Sequence, residues 1–255
     1  MNLLKKGDIV SRKSHNNDIL FYIEEIDEQR NYARLKGVVI RIEADSAIND
    51  LELVDNTRIN SLTSQVEKII NSGIIRKNNR FGKILHLDGD KTYSQKTEQY
   101  YKKRGLNYVV KHIPEYKQPE MVSYLLKSVN PDILVITGHD GMIRKGKNYN
   151  DINNYRNSKY FVKAVRNARA YNYDKNDLII FAGACQSFYE ALIYAGANFA
   201  SSPGRILIDF LDPLIVAEKI STTDRNKLVF MSDLESSIRN GRKAISGIGA
   251  RGKCL

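Results

Sequence analysis

The chain has 255 residues, of which 42% are hydrophobic and 27% charged, a composition that fits an ordinary globular protein and excludes fibrous and disordered classes. The formal net charge is +11, and nearly all of the excess lies after residue 80, which indicates either anionic partners or simply a solvated basic face. The N-terminus lacks the apolar core of a signal peptide, no apolar run approaches the roughly 18 residues of a membrane span, and only two cysteines are present, so the sequence predicts a protein kept in a reducing cytoplasm with no membrane partner.

Short strands separated by polar turns are predicted for residues 1–55. The β-rich runs are 7–12, 19–26, 32–36 and 38–42. Strands this short and closely spaced predict a small antiparallel barrel of SH3-like type, which would suit docking or dimerisation. Residues 56–80 are predicted to form a linker with one helix near 64–70, which Gly73 ends.

From residue 81 the pattern changes to strands that alternate with helices. Predicted strands lie at 83–88, from 108, at 132–137 and at 178–182, and predicted helices lie at 95–104, 119–129, 161–171 and 188–194. The third and fourth strands are continuous apolar runs, which is typical of strands buried on both faces of a parallel sheet. Residues 81–255 are therefore predicted to form a flavodoxin-like parallel-sheet α/β/α layer. The residues beyond Thr222 are too weakly patterned to place.

Polar residues follow the strands at the edge where parallel α/β sheets carry their sites. His139 comes after the third strand, and Cys185 comes after the fourth. Taken singly, a cysteine in this position is most often a small buried hydrophobe, and a loop histidine is most often polar surface. If the two strands are neighbours, however, both side chains converge on one cleft, where the histidine can deprotonate the thiol. Their joint placement predicts a catalytic dyad for acyl transfer.

Residues near the predicted dyad have candidate supporting roles. The amides of Gly141 and Cys185 are candidate donors to an oxyanion, and a helix that begins after Cys185 would favour its thiolate. A third, orienting residue is left open between Asp88, Asp90 and Asp140, although helix capping or turn formation is the favoured role of each. This chemistry needs no metal and no organic cofactor.

The arrangement resembles caspase-like cysteine peptidases, in which one apolar strand leads to the histidine and the next leads to an Ala-Cys pair. The segments that carry the likeness are 133–139, which ends at His139, and 178–185, which ends at Cys185. The resemblance implies a caspase-like sheet layer. Asp140 departs from the pattern, because the group has Gly or Ser directly after the histidine.

Over nearly its whole length the sequence is similar to the YabG family of sporulation-specific proteases of endospore-forming bacteria. The likeness lies in segments 6–14, 137–141, 199–203 and 211–213. The resemblance implies a protease of the mother-cell cytoplasm, associated with the spore coat, that trims spore coat and cortex-lytic precursor proteins after Arg residues. Cleavage after Arg needs a carboxylate in the S1 pocket, for which Asp209 and Asp212 are candidates. Asp212 before Pro213 equally fits a helix N-cap.

Other functions remain open at this point. A non-enzymatic spore-coat or nucleic-acid binding protein would use a basic helix stripe, although nucleic acid is the less expected partner. The stripe residues are Lys159, Lys163, Arg166 and Arg169. A flavodoxin-like regulator would use the acidic residues after the first strand, but it leaves the predicted dyad without a role. The basic loop 144–147 is a candidate self-cleavage site, or simply a solvated loop. Neither the oligomeric state nor a role for Cys254 is indicated.

Overall fold

A computed structural model of the chain describes residues 3–72, 80–143 and 148–255. The strands are β1 (Ile9–Arg12), β2 (Phe21–Asp27), β3 (Tyr32–Gly37), β4 (Glu43–Ser46), β5 (Leu51–Leu53), β6 (Ile84–Asp88), β7 (Tyr108–His112), β8 (Ile133–Thr137), β9 (Ile179–Ala182), β10 (Phe199–Ser201), β11 (Leu228–Val229), β12 (Ile245–Gly247) and β13 (Ala250–Arg251). The helices are α1 (Asn56–Asn71), α2 (Lys91–Lys103), α3 (Gln118–Val129), α4 (Ser158–Tyr171), α5 (Tyr189–Ala195), α6 (Asp212–Thr222) and α7 (Gly241–Ala244). Strands and helices therefore alternate from β6 to α6, and the sequence predicts this alternation as far as α5.

The N-terminal strands form a five-stranded antiparallel sheet in the order β4-β3-β2-β1-β5. Side chains such as Val10, Phe21 and Leu35 are fully buried against the rest of the molecule. At the start of β2 the buried residues alternate with more exposed ones, which follows from the period of two along a strand. The antiparallel arrangement predicted for this region is confirmed.

The prediction of a strand at residues 38–42 is wrong. β3 ends before this segment and β4 begins after it, so the residues between them form a loop. The loop makes isolated bridges, from Ile40 to Asp209 and from Ile42 to Asp140. Ile40 and Ile42 pack into the core shared with the second sheet, which explains part of the hydrophobicity that suggested a strand.

Helix α1 follows the N-terminal sheet and is longer than the predicted helix. The Asp55 side chain caps it by accepting a hydrogen bond from the Arg58 amide at 2.9 Å, which satisfies one of the free amides of the first turn. Ile70, near its end, is buried in the core. Residues 73–79, which include the predicted stop at Gly73, lie outside the described residues.

The second sheet has six strands in the order β12-β10-β9-β8-β6-β7, all parallel except β12. Counted from β6, the parallel strands run 2-1-3-4-5, which is the strand order of flavodoxin-like sheets. The direction of winding reverses between β6 and β8. Sheets of this kind bind ligands at the carboxyl ends of the strands beside that reversal.

Helices cover both faces of the second sheet. Leu134, Ile136 and Ile180 pack beneath α3, α4 and α5. Val135 and Phe181 point to the opposite face, beneath α2, α6 and the N-terminal sheet. Strands β8 and β9 are buried along their whole length, as their continuous apolar runs predict. Each such side chain contributes roughly 1.5–3 kcal/mol of burial free energy, so the strands that carry the site are firmly held.

Candidate active site

Strands β8 and β9 bring His139 and Cys185 to matching positions. The strands are neighbours in parallel register, with Ile136 opposite Ala182. His139 and Cys185 each follow that pair by three positions, so both leave the same edge of the sheet. The condition on which the predicted dyad depends, that the two strands are neighbours, is therefore met.

Glycines allow the backbone to turn tightly at both strand ends. Gly183 has a φ of +108°, and a Cβ there would lie 2.6 Å from Ser201 Oγ. A Cβ on Gly138 would lie 2.4 Å from Glu115 Oε1, because that carboxyl packs beneath the turn and accepts a hydrogen bond from the His139 amide at 2.7 Å. Only glycine leaves room for these approaches.

Asp140 ties together the loops that follow β8 and β9. Its partners are the amides of Gly141 and Asn157 at 2.9 and 2.8 Å and the hydroxyls of Ser158 and Ser187 at 2.5 and 2.8 Å. The Ser187 hydroxyl in turn accepts a hydrogen bond from the Ala184 amide at 2.9 Å. Through this chain of bonds Asp140 positions the turn that carries Cys185.

Two backbone amides converge on one carbonyl oxygen at this edge. The amides of Cys185 and Asp140 both donate to the carbonyl oxygen of Arg41, each at 3.3 Å. The amide of Gly141, which was the predicted second donor, donates instead to Asp140 Oδ1. Arg41 belongs to the loop between β3 and β4, so the N-terminal sheet supplies the carbonyl that the two amides hold.

The Cys185 sulfur is closed off from solvent, with an exposed fraction of 0%. It accepts a hydrogen bond from the Ile208 amide at 3.3 Å. Burial raises the pKa of the thiol to about 12, so the sulfur is protonated at neutral pH. A helix dipole was expected to favour the thiolate, but α5 begins only at Tyr189, and burial outweighs any such effect here.

The His139 ring is equally buried and packs against Tyr22 and Tyr93, with ring centroids 6.5 and 5.4 Å away. Burial lowers its pKa to about 4 against the opposing influence of the Asp90 charge, so the ring is neutral at pH 7. Among the described residues neither ring nitrogen has a hydrogen-bond partner. Cys185 and His139 thus share an edge without being bonded to each other, and no orienting carboxylate hydrogen-bonds to the imidazole.

Asp88 and Asp90 have partners of their own. Asp88 Oδ2 forms a fully buried ion pair with Arg41 Nη1 at 2.6 Å, and its other oxygen accepts from the Asp90 amide at 2.9 Å. Asp90 caps α2 through the Tyr93 amide at 3.0 Å and accepts from the Tyr22 hydroxyl. Burial alone would raise the pKa of Asp88, but the Arg41 charge helps to hold it below its ordinary range.

Asp209 and Asp212, the S1 candidates, lie at the start of α6. Asp212 Oδ2 accepts from the Asp209 amide at 3.0 Å, and Asp209 Oδ1 accepts from the Leu211 amide at 3.0 Å. Burial, together with the nearby Asp209 charge, raises the pKa of Asp212 to about 7. Both residues line a cavity of about 440 Å³ that Val39 and Ile40 also line. The carboxyls therefore serve the local turn and also reach a cavity.

A second cavity, of about 710 Å³, is lined by residues that follow Arg41. Ile42 and Glu43 form part of its wall, together with Met142 and Gln186. Gln186 directly follows Cys185, so this cavity reaches the loop that carries the sulfur.

The sequence patterns did not single out Arg41, Glu115 or Tyr93, all of which lie within this buried edge. One signal for Arg41 was present, because it is the single cation in the apolar run 38–42. No comparable signal marks Glu115 or Tyr93, which come from otherwise polar stretches.

The predicted basic stripe on α4 is incomplete. The Arg169 guanidinium donates to the carbonyl oxygens of Gly196 and Leu178 and to the Asn198 side chain, each at 2.8 Å. The exposed members are Lys159, Lys163 and Arg166. Arg169 therefore braces the fold instead of presenting its charge to a partner.

Residues 3–72, 80–143 and 148–255 contain no group of three or more His, Cys, Asp and Glu side chains that could hold a metal ion. No helix within them is long and apolar enough to cross a membrane. The predicted self-cleavage loop, 144–147, lies outside the described residues.

Known proteins resemble this chain mainly in sequence. A family model described as YabG peptidase U57 matches residues 5–255. The chain is 38% identical over 274 residues to the sporulation-specific protease YabG of Bacillus subtilis (strain 168), covering 96% of this chain and 94% of that protein.

Likenesses to solved structures are weak. The receiver domain of the histidine kinase CKI1 from Arabidopsis thaliana, complexed with Mg²⁺, aligns with a TM-score of 0.30 and 14% identity over 49% of this chain and 87% of that one. The A domain of carboxylic acid reductase from Segniliparus rugosus, in complex with AMP, aligns with a TM-score of 0.30 and 12% identity over 74% of this chain and 24% of that one. Neither bears on function, whereas the sequence matches span nearly the whole chain.

Proposed function

This chain belongs to the YabG peptidase U57 family, and from that membership we propose that it is a cysteine endopeptidase with Cys185 as nucleophile and His139 as general base. The observation that carries the proposal is the equal offset of the two residues beyond a paired point on neighbouring parallel strands. The two amides that converge at the same edge give further support. Acyl transfer through a thioester needs a thiol, a base and such donors within one cleft.

The proposed reaction begins when His139 takes the proton of the Cys185 thiol and the thiolate attacks the scissile carbonyl carbon. The amides of Cys185 and Asp140 then hold the negative oxygen of the tetrahedral intermediate. When the carbon–nitrogen bond breaks, the His139 imidazolium gives its proton to the leaving amine. A water molecule, deprotonated by His139, attacks the thioester and releases the carboxyl product and the thiol. No step uses a metal or an organic cofactor.

In this proposal the Asp140 amide takes the role expected of Gly141. The Gly141 amide is already bonded to Asp140 Oδ1, whereas the Asp140 amide donates to the same carbonyl oxygen as the Cys185 amide. The Asp140 side chain has a positioning role, because it holds the Cys185 turn through Ser187.

The closed arrangement corresponds to a resting enzyme. With a thiol pKa of about 12 and an imidazole pKa of about 4, the proton stays on sulfur at neutral pH. Solvent or substrate must reach the pair before the proton can move, because burial is the first cause of both shifts. Activity is therefore expected to require displacement of the residue 38–42 loop.

The family resemblance directs the choice of substrates. We propose cleavage after Arg residues in spore coat and cortex-lytic precursor proteins, within the mother cell and at the spore coat. The second sheet would be a caspase-like layer at 81–255, preceded by an SH3-like barrel at 1–55 and a linker at 56–80. The five-stranded antiparallel sheet and the 2-1-3-4-5 strand order support this division.

The direct test is digestion of an Arg-containing peptide library by the wild type, Cys185→Ala and His139→Ala. Because the residue 38–42 loop holds the Cys185 amide through the Arg41 carbonyl oxygen, each protein is assayed both with Arg41 and with Arg41→Ala, which removes the largest side chain of that loop. Cys254→Ala serves as the matched cysteine control. We expect cuts after Arg that survive in Cys254→Ala and disappear in both dyad variants.

Two results would count against the proposal. Robust cleavage by a folded Cys185→Ala protein would exclude the proposed nucleophile. Absence of cleavage in every version, including the Arg41→Ala forms, would favour a binding protein without peptidase activity.

A further inference from the structure

Arg41 is the largest fully buried side chain among the described residues. Its Nη1 pairs with Asp88 Oδ2 at 2.6 Å. The guanidinium carbon lies 4.6 Å from the ring centroid of Tyr93 and 5.7 Å from that of Phe210, and the two rings stack at 5.4 Å. A planar cation is therefore held by a carboxylate and aromatic faces, which is how proteins bind arginine side chains.

The backbone of the loop that carries Arg41 is bound, as the Arg41 side chain is. The Arg41 carbonyl oxygen accepts from the amides of Cys185 and Asp140. The Glu43 amide donates to the Asp140 carbonyl at 3.0 Å, and Ile40 bridges to Asp209 in antiparallel fashion. A peptide substrate would be bound in the same way, with the carbonyl of its scissile bond facing the oxyanion donors.

We propose that Asp88, Tyr93 and Phe210 form the arginine-recognition subsite of the peptidase, and that Arg41 of this chain is its built-in occupant. The name S1 rests on the proposed function, because a subsite is defined by its distance from a scissile bond. Residues 38–43 then occupy the cleft as an intramolecular substrate mimic. An incoming arginine peptide must displace this loop.

Charge explains why the pocket selects arginine. Asp88 is fully buried and stays ionised because a cation lies beside it. When Arg41 leaves, the carboxylate is stranded in a low-dielectric site, which is unfavourable until another cation arrives. A substrate guanidinium restores the ion pair, whereas a neutral side chain of similar shape does not.

The cavities on this face agree with an extended peptide path. The 440 Å³ cavity touches Val39 and Ile40, which precede Arg41, whereas the 710 Å³ cavity touches Ile42 and Glu43, which follow it. A longer substrate has room before and after its arginine. Asp209 and Asp212 lie beside the earlier cavity, so they are the rival location for the arginine subsite.

A binding experiment isolates the subsite from catalysis. In a Cys185→Ala background, N-acetyl-arginine-amide is titrated calorimetrically into the Arg41→Ala protein, and N-acetyl-citrulline-amide is the neutral control of nearly equal shape. We expect the arginine probe to bind and to raise Tm, and to bind at least about tenfold more weakly when Arg41 is present. Binding should disappear in Arg41→Ala/Asp88→Asn and persist in Arg41→Ala/Asp212→Asn.

Folding of the alanine variant is itself informative. If Arg41→Ala is unfolded alone but folds with the arginine probe and not with the citrulline probe, the pocket is occupied as proposed. If neither probe restores folding, the experiment is repeated with Arg41→Lys in place of Arg41→Ala, because lysine keeps a cation beside Asp88. The arginine probe should then displace the lysine side chain. Failure of the arginine probe to bind any folded Arg41 variant, or binding that depends on Asp212, would overturn the assignment.

Peptide kinetics then separate the two proposals. With Cys185 intact, Arg41→Ala should raise kcat/KM for an Arg peptide by at least about tenfold. The reason is that the substrate no longer has to compete with the loop for the subsite. Adding Asp88→Asn should remove the preference for Arg over citrulline. Arginine binding without any cleavage would leave the subsite standing and refute the peptidase. Cleavage after Arg that is unaffected by Asp88→Asn would support the peptidase and refute the assignment of the arginine subsite.

Discussion

The Cys185 thiol is buried together with the imidazole that is proposed to deprotonate it. Their pKa values, about 12 and about 4, are moved apart by burial, whereas a reactive thiolate–imidazolium pair needs them brought together. At neutral pH the two groups are neutral and therefore tolerate their apolar surroundings. Catalysis and the closed resting state thus place opposite demands on the pKa values of the same two side chains.

This closure predicts a difference between the two cysteines. We expect iodoacetamide at pH 7.5 to alkylate the partly exposed Cys254 well before Cys185. A thiol pKa of about 12 leaves a thiolate fraction roughly a thousandfold below that of an ordinary thiol. Timed labelling with peptide mass mapping measures both rates. The denatured chain is the control, where the rates should converge, and equal rates in the folded protein would contradict the closed site.

The turn after β9 is the element that aims the nucleophile, and its first residue tests how tightly it is packed. Gly183→Ala would combine a φ of +108° with a Cβ 2.6 Å from Ser201 Oγ. Gly7→Ala is the matched control, because Gly7 has a φ of +93° and nothing within 4 Å of the added Cβ. Both substitutions strain the backbone, but only the first adds crowding.

We therefore expect Gly183→Ala to lower the free energy of unfolding by about 1–3 kcal/mol more than Gly7→Ala does, which is the usual cost of overpacking. Urea denaturation of the three proteins measures the difference. Equal losses in the two variants would mean that the turn yields easily and does not hold Cys185 rigidly.

Elements differ in how far the sequence determines them. β8 and β9 could be predicted because the four consecutive apolar residues at 133–136 and the five at 178–182 have no amphipathic alternative, and the ends of these strands led to His139 and Cys185. The apolar run 38–42 was misread, because hydrophobicity indicates that a segment is buried without indicating its partner. Asp88 was noticed as a candidate orienting residue. Its bond to Arg41 spans 47 positions, and no local pattern encodes such a pair.

At the scale of the whole molecule, one sheet edge concentrates buried ionisable groups that are shifted in opposite directions. Burial lowers the pKa of His86 and of His139 but raises that of Glu115 to about 7. Between pH 4.5 and 6.5 the histidines make stability rise with pH, whereas the carboxyl makes it fall. In the pH dependence of wild-type stability these opposite contributions partly cancel, and a single substitution is needed to separate them.

Glu115→Gln resolves the carboxyl contribution. The folded-state pKa of Glu115 is above its ordinary value of 4.5, so its protonated form stabilises the fold. That stabilisation is fully present below pH 4.5 and is lost as pH rises through about 7. Glutamine stays neutral and retains an acceptor for the His139 amide, so the variant should not lose this contribution.

We expect the variant to gain stability relative to the wild type as pH rises, by up to about 3 kcal/mol at pH 8. Urea denaturation from pH 4.5 to 8 measures the difference, in which the contributions of the unaltered groups cancel. Glu120→Gln, at an exposed position of α3, is the matched control and should show a flat difference. A flat difference for Glu115→Gln as well would mean that the Glu115 carboxyl ionises as freely in the folded protein as in water, and that this edge of the sheet is open to solvent.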